Sequence, residues 1–275
     1  MADFDLIILD FDGTFTDVDA EAVPFLDHYR RGLEALAGRP IDEAWAEAVE
    51  EVRREPDAHG FRFETRIVAP SHADPYILSS CVSQLVLEGL GMPIELGHLE
   101  TLFHDSYRHA DTVFRPDARD VVEALLSLGV PVHVVSNSRT DNVVAKLERL
   151  DASLLSRMEV RGNARKFHLV DPEGSDARFD SLPESRAVEG LTRPLYLRRG
   201  RYYDVLRSLW DATGASPERT LVCGDIYELD LALPAALGAS VHLVGRETTP
   251  AWEREAASAD RGAFSTELRG VLDRV

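Results

Sequence analysis

Residues 6–17 read LIILDFDGTFTD, an apolar run that ends in two aspartates with one residue between them. The run from Leu6 to Leu9 is long enough for a β-strand buried on both faces and too short for a helix. Asp10 therefore stands at the carboxyl end of that strand, where open parallel α/β sheets hold their ligands. The stretch predicts a parallel sheet with a polar site at one edge.

Asp10 and Asp12 together indicate a divalent cation. Strand alternation directs both carboxylates the same way, and like charges at that separation repel each other. A hard cation with oxygen ligands, Mg²⁺ above all, relieves the repulsion, and Gly13 permits a tight turn after the pair. The alternative is that Asp-Phe-Asp-Gly is only a turn, since these residue types are common in turns. The buried strand before it favours the site.

The composition limits the partners that this chain can have. It has 275 residues, of which 44% are hydrophobic, and this suits one large domain or a core with a smaller companion. The 48 acidic and 30 basic residues give a net charge of -18, which argues against nucleic acid and anionic membranes as partners. An anionic substrate would need a local cation in the site. The sequence leaves the oligomeric state open.

Cysteine usage and the first residues favour the cytoplasm. Cys81 and Cys223 are the two cysteines, and Cys223 lies in an apolar run, so a disulfide framework is not expected. The N-terminal residues lack a basic segment, and no apolar stretch approaches the ~20 residues of a membrane span. We therefore expect a cytoplasmic enzyme.

The pattern along the chain divides it in two. Apolar stripes at helical spacing run through residues 17–111 and predict an all-helical block of about a hundred residues. From residue 112 helices alternate with strands, as in βαβ units, which predicts a Rossmann-like parallel sheet with helices on both faces. The stretch 166–199 interrupts that alternation. Its flanks, FHLVD and PLYLR, predict a β-hairpin with a long tip.

Two later strand ends carry further polar residues. The strand at 130–135 ends in Ser136 and Asn137, where a hydroxyl and backbone N–H groups can bind a phosphoryl oxygen. The strand at 220–223 runs into Gly224 and Asp225, and Asp230 follows in the next helix. Asp225 can bind a metal directly or through water, and Asp230 can orient a neighbouring group or only favour the helix N-terminus.

Together these motifs resemble the haloacid dehalogenase superfamily. The match covers residues 1–16 and 112–275 as the α/β core, and residues 17–111 stand where that family inserts a helical cap. The resemblance implies that Asp10 is the nucleophile that forms an aspartyl-phosphate and that Asp12 is the general acid and base. It also implies a phosphate cradle of Gly13, Thr14, Ser136 and Asn137, and Mg²⁺ held by Asp10, the Asp12 carbonyl, Asp225 and Asp230.

The basic residue of the family's third motif has no plain counterpart. The expected place, just before the helix leading to the Gly-Asp strand, reads LRRGR over 197–201 and has no lysine. We predict that Arg199 or Arg201 fills the role, because an arginine fork binds phosphate, with Lys166 next in order. In the block 17–111 the less regular segment 59–75 holds the candidate substrate-reading residues Arg66, Arg62, His72 and Asp74.

The sequence therefore predicts a Mg²⁺-dependent phosphatase acting on a small phosphorylated metabolite, because a cap of this size would exclude large substrates. A phosphomutase sharing the aspartyl-phosphate step is the neighbouring alternative. Haloacid dehalogenation is disfavoured, because that branch of the family lacks the second acid and this chain keeps Asp12. A non-catalytic binding or regulatory protein with the same fold is a further alternative, and the missing lysine is its support.

Overall fold

The computed structural model describes residues 4–93 and 96–275. They form two compact units. The first unit, here called the α/β unit, leaves off at Thr16 and resumes at Phe114, and the second, the helical unit, is Asp17–Val113. In these residues each helix is too short or too polar to cross a membrane.

After the first strand, β1 (Leu6–Leu9), the chain enters the helical unit. Its elements in order are α1 (Val18–Ala37), α2 (Asp42–Arg54), the strands β2 (Gly60–Phe63) and β3 (Arg66–Pro70), α3 (Pro75–Gly89) and α4 (Leu96–Tyr107). The helices pack around a common core that includes Leu33, Val52 and Val82. The predicted helices are thus present.

The block is not all-helical, unlike the prediction from the sequence, because an antiparallel hairpin of β2 and β3 stands among the helices. The sequence marked its segment only as less regular, because four- and five-residue strands are too short to show a period. Gly60 is needed there, since a Cβ atom at that position would lie 2.3 Å from the Ala69 carbonyl oxygen.

The α/β unit continues with alternating helices and strands. Its elements are α5 (Ala118–Ser127), β4 (Val132–Val135), α6 (Thr140–Arg149), β5 (Met158–Arg161), α7 (Ala177–Asp180), β6 (Ser185–Val188), β7 (Leu191–Tyr196), α8 (Gly200–Thr213), β8 (Thr220–Gly224), α9 (Ala232–Ala236), β9 (Ser240–Val244), α10 (Ala251–Ser258) and β10 (Gly262–Ser265). A π-helical turn, Tyr227–Leu231, precedes α9.

Among the described residues, six strands form one parallel sheet in the order β10-β9-β8-β1-β4-β5. Strand β1 lies inside the sheet between β8 and β4, and all its residues are buried. Leu6 and Ile8 join the core on one face, while Ile7 and Leu9 join the core on the other. The predicted Rossmann-like sheet with both faces covered is confirmed.

The stretch 166–199 folds differently from its prediction. Its hairpin consists of β6 and β7, so the flank PLYLR lies partly in a strand, as predicted, while FHLVD at 167–171 does not. The FHLVD segment instead packs on the start of α8, where the Gly200 N–H donates to the Val170 carbonyl at 2.8 Å. A Cβ atom on residue 200 would lie 2.3 Å from that oxygen, so only glycine allows this contact.

Candidate active site

The candidate site lies at the carboxyl ends of four neighbouring strands. Asp10 follows β1, Ser136 follows β4, and Asp225 follows β8. Lys166 lies beyond the end of β5. Because these strands are adjacent in the order β8-β1-β4-β5, their ends bring residues distant in sequence to one edge, as the sequence predicted.

Lys166 binds two carboxylates at the centre of this edge. Its ammonium donates to Asp10 Oδ1 at 2.6 Å and to Asp230 Oδ1 at 2.7 Å, and all three residues are buried. The Tyr202 ring lies under the ammonium, with its centroid 5.4 Å away, and the Tyr202 hydroxyl donates to the Asp230 carbonyl at 2.9 Å. Lys166 is therefore the cation that contacts the predicted nucleophile.

The charges around Lys166 do not balance. Burial raises the pKa of the Asp10 carboxyl, Lys166 opposes this effect, and Asp230 adds to it. Burial works against the charge of Lys166, but Asp10 and Asp230 raise its pKa above the usual range. One ammonium between two carboxylates leaves an excess negative charge in a buried position, which a bound cation would offset.

Arg199 and Arg201, the preferred candidates for this role, do not occupy it. Arg199 is fully buried, and it donates to the carbonyl oxygens of Tyr196 at 3.1 Å and Lys166 at 2.9 Å. Arg201 pairs with Glu173 at 2.6 Å, away from Asp10. The stretch 167–199 separates Lys166 from α8, so the basic residue in contact with Asp10 does not stand just before that helix. That insertion is the reason for the wrong preference.

Asp12 lies in a different environment from Asp10. Its carboxylate accepts hydrogen bonds from Ser138 Oγ at 2.7 Å and Ser136 Oγ at 3.4 Å on one oxygen, and from Lys146 Nζ at 2.9 Å on the other. It is partly exposed, whereas Asp10 is buried. The two aspartates therefore have separate partners and separate access to solvent.

The predicted cradle residues hold the loops in place. Thr14 Oγ1 lies 3.5 Å from Asp10 Oδ2, and the Asn137 side chain accepts from the Lys166 backbone N–H at 2.8 Å. Gly13 has a φ of 81°, and a Cβ atom there would lie 2.0 Å from Asp225 Oδ2. Arg115 fixes the same turn by donating twice to the Gly13 carbonyl, at 3.1 and 2.8 Å. The turn at Gly13 thus contacts Asp225 and Arg115, and the turn at Asn137 contacts the backbone of Lys166.

Comparison with known proteins agrees with the geometry. A family model described as haloacid dehalogenase-like hydrolase matches residues 4–238. The chain belongs to this family. No curated sequence is significantly similar to it.

Solved structures of the same fold span several activities. A predicted phosphoglycolate phosphatase from Haemophilus somnus 129PT has 16% identity and a TM-score of 0.55, covering 99% of this chain and 98% of its own. A putative β-phosphoglucomutase from Thermotoga maritima has 15% identity and a TM-score of 0.55, covering 98% and 99%. A dehalogenase with an intermediate complex has 16% identity and a TM-score of 0.50, covering 99% and 97%. At these identities the likeness concerns the fold alone.

Within this hydrolase site a group of acids could hold a divalent cation. Asp10, Asp225 and Asp230 each offer a carboxylate oxygen, and these oxygens lie within 4.8 Å of one another. A set of oxygen ligands suits Mg²⁺. Asp230 already accepts from Lys166 on one oxygen and from the Ile226 N–H at 3.0 Å on the other. Asp10 and Asp225 are therefore the better candidates for direct ligands.

The substrate-reading candidates lie in the helical unit. Arg66 begins β3, and Arg62 donates to the carbonyl oxygens of Thr65 and Ala58 within the same segment. Asp74 caps the N-terminus of α3 by accepting from the Ile77 N–H at 2.6 Å, which gives it a structural role. His72 lies in the turn between β3 and α3. Their roles in substrate binding stay predictions.

Sequence reasoning missed Lys146 and Tyr202, which reach the site from α6 and α8. Helical spacing alone does not tell which polar residue faces a strand end. One signal was present in the sequence: of the 30 basic residues only Lys146 and Lys166 are lysines.

Proposed function

We propose that this hydrolase is a Mg²⁺-dependent phosphatase that acts on a small phosphorylated metabolite through an aspartyl-phosphate on Asp10. The observation that carries the proposal is the separation of two carboxylates, with buried Asp10 against Lys166 and partly exposed Asp12 against serine hydroxyls. A phosphate ester needs both an attacking oxygen and a proton for its leaving oxygen. Displacement of a halide needs no such proton, so Asp12 favours the phosphatase.

In the first step, an Asp10 carboxylate oxygen attacks phosphorus and the ester P–O bond breaks, while Asp12 gives its proton to the leaving alkoxide. In the second step, water attacks phosphorus and loses a proton to Asp12, and the Asp10–phosphorus bond breaks to release phosphate. Lys166 keeps Asp10 oriented through both steps, and Ser136 with the Asn137 amide would bind phosphoryl oxygens.

Asp10, Asp225 and the Asp12 carbonyl would hold Mg²⁺, with Asp230 orienting Lys166. The bound ion would keep Asp10 ionised and offset the charge of the phosphoryl group. The small size of the substrate is proposed from the presence of the helical unit.

The test is hydrolysis of an aryl phosphate by the wild type with Mg²⁺, by the wild type with EDTA, and by Asp10→Asn. We expect phosphate release only from the wild type with Mg²⁺. Absence of metal-dependent release above the variant, from folded protein, would refute the proposal. Isomerisation of a sugar phosphate without net phosphate release would instead support the phosphomutase. The contact of Lys166 with Asp10 removes the argument for a non-catalytic protein that rested on a missing lysine.

A further inference from the structure

The two lysines of this chain contact the two aspartates of its first motif. Of the 30 Lys and Arg residues, only Lys146 and Lys166 are lysines, and all the others are arginines. Lys166 donates to Asp10 at 2.6 Å, and Lys146 donates to Asp12 at 2.9 Å. The two lysines of the chain thus lie at the two aspartates Asp10 and Asp12.

The helix α6 fixes where Lys146 can reach. Val143 and Leu147, which precede and follow it on the helix, are buried in the core that also contains Ile7 and Leu9 of β1. The Lys146 ammonium lies 5.6 Å from the centroid of the Phe11 ring, and Phe11 stands between Asp10 and Asp12 in the chain. The ammonium is therefore held beside the first motif by packing as well as by charge.

The contact fits a lysine better than an arginine. Ser138 and Ser136 already donate to Asp12 Oδ2, so Oδ1 is the oxygen that Lys146 takes. A guanidinium fork favours both oxygens of a carboxylate and would compete with the serines, whereas an ammonium binds as a single point. Both side chains are about a quarter exposed, at 23% and 27%, and ion pairs with such access to water add little stability. Stability alone does not explain the residue.

We propose that Lys146 is a positioning residue that, together with Ser138, orients the Asp12 carboxyl for proton transfer to the leaving oxygen of the substrate. This inference rests on the proposed phosphatase function. It predicts that in the first step Lys146 matters most for substrates whose leaving group must be protonated, namely alkyl phosphates, and little for aryl phosphates with stable leaving anions.

The test compares Lys146→Met with the wild type on an alkyl and an aryl phosphate, with Mg²⁺ present. We expect kcat/KM, which covers only the steps up to release of the leaving group, to fall by about 100-fold on β-glycerophosphate and by less than about 3-fold on p-nitrophenyl phosphate, within the range of general acid catalysis. The second step, in which Asp12 accepts a proton from water, is common to both substrates and does not enter kcat/KM. Lys146→Arg should restore part of the alkyl activity. Arg149→Met, an exposed cation on the same helix, is the matched control and should change neither rate.

Equal losses of kcat/KM on both substrates would overturn the proposal, because they would indicate a general structural or binding role. Unchanged activity on both would also overturn it. Absence of phosphate release by the wild type itself would refute the proposed function, and with it any role of Lys146 in that reaction.

A second measurement reports the contact without activity and covers the case in which Lys146→Met fails to fold. Protein labelled with ¹⁵N at the lysine side chain has two ammonium signals, one from each lysine. We expect Asp12→Asn to shift the Lys146 signal and leave that of Lys166 nearly unchanged, and Asp10→Asn to do the reverse. A Lys146 signal that does not respond to Asp12→Asn would overturn the proposal.

Discussion

Lys166 connects the predicted nucleophile Asp10 to Asp230 through two buried ion pairs. Its ammonium donates to Asp10 and to Asp230, and it lies over the ring of Tyr202. Its removal would leave two buried carboxylates without the ammonium that lies between them, which is costly. A variant without this ammonium loses both the orientation of Asp10 and the balance of charge around it.

We therefore expect Lys166→Met to lower kcat for phosphate release by at least about 100-fold, as loss of a positioned charged group commonly does. Arg201→Met, which removes a cation paired with Glu173 outside this cluster, should leave kcat within about 2-fold because exposed pairs contribute little. Steady-state kinetics of both variants, with circular dichroism to check folding, make the comparison. A larger loss in Arg201→Met would contradict the assignment of Lys166.

At the scale of elements, the hairpin of β6 and β7 is joined to the π-helical turn that carries Asp230. Arg193 from β7 pairs with the fully buried Glu228 of that turn at 3.0 and 2.6 Å, and Arg199 lies 3.5 Å from the same carboxylate. Burial lowers the pKa of Arg199 to about 10, and Glu228 opposes that effect. The hairpin thus supports the turn from which Asp230 holds Lys166.

Glu228→Gln should lower the free energy of unfolding by roughly 3 kcal/mol, because it removes a buried carboxylate that contacts two largely buried arginines. Glu50→Gln, which breaks an exposed pair with Arg53, should change it by less than about 0.5 kcal/mol. Urea unfolding of the two variants measures the difference. Equal stability of both would show that the buried pair does not hold the hairpin.

The sequence predicts the positions of strands that are buried on both faces, but it does not predict the fold of the insertion 167–199. The run Leu6–Leu9 and the strand ending at Gly224 are continuous apolar segments, so their strands and the acids at their ends could be placed. Strand β10, Gly262–Ser265, was missed because it is short, half-buried and built partly of small residues. The sequence prediction prefers the arginines to Lys166 because a sequence does not show where the chain lies before and after an insertion such as 167–199.

For the whole molecule, we expect the free energy of unfolding to depend on pH through the buried histidine His242. His242 in β9 donates to or accepts from Ser265 Oγ at 2.7 Å, and burial lowers its pKa from 6.5 to about 4, an effect to which Arg274 adds. Between these two pH values the unfolded chain binds a proton that the folded chain does not bind. The contribution of this group to stability is therefore present above about pH 6.5 and is lost as the pH falls towards 4.

We expect the free energy of unfolding to decrease on acidification from pH 7 to pH 4 by an amount that includes on the order of 3 kcal/mol from His242. His242→Gln, which keeps a polar group near Ser265, should flatten this dependence by a similar amount. His104→Gln, at an exposed position, is the control and should leave the slope as in the wild type. Denaturant unfolding at several pH values checks this, and an unchanged slope in His242→Gln would contradict it.

The aspartyl-phosphate proposed for Asp10 can be trapped directly. Protein turning over a phosphate ester with Mg²⁺ is quenched with acid and reduced with borohydride, which converts an acyl phosphate on aspartate to homoserine. Peptide mass spectrometry then identifies the reduced position. We predict homoserine at position 10, dependent on substrate and metal, with Asp12 and Asp225 unmodified. Phosphate release without reduction at position 10 would contradict an aspartyl-phosphate on Asp10.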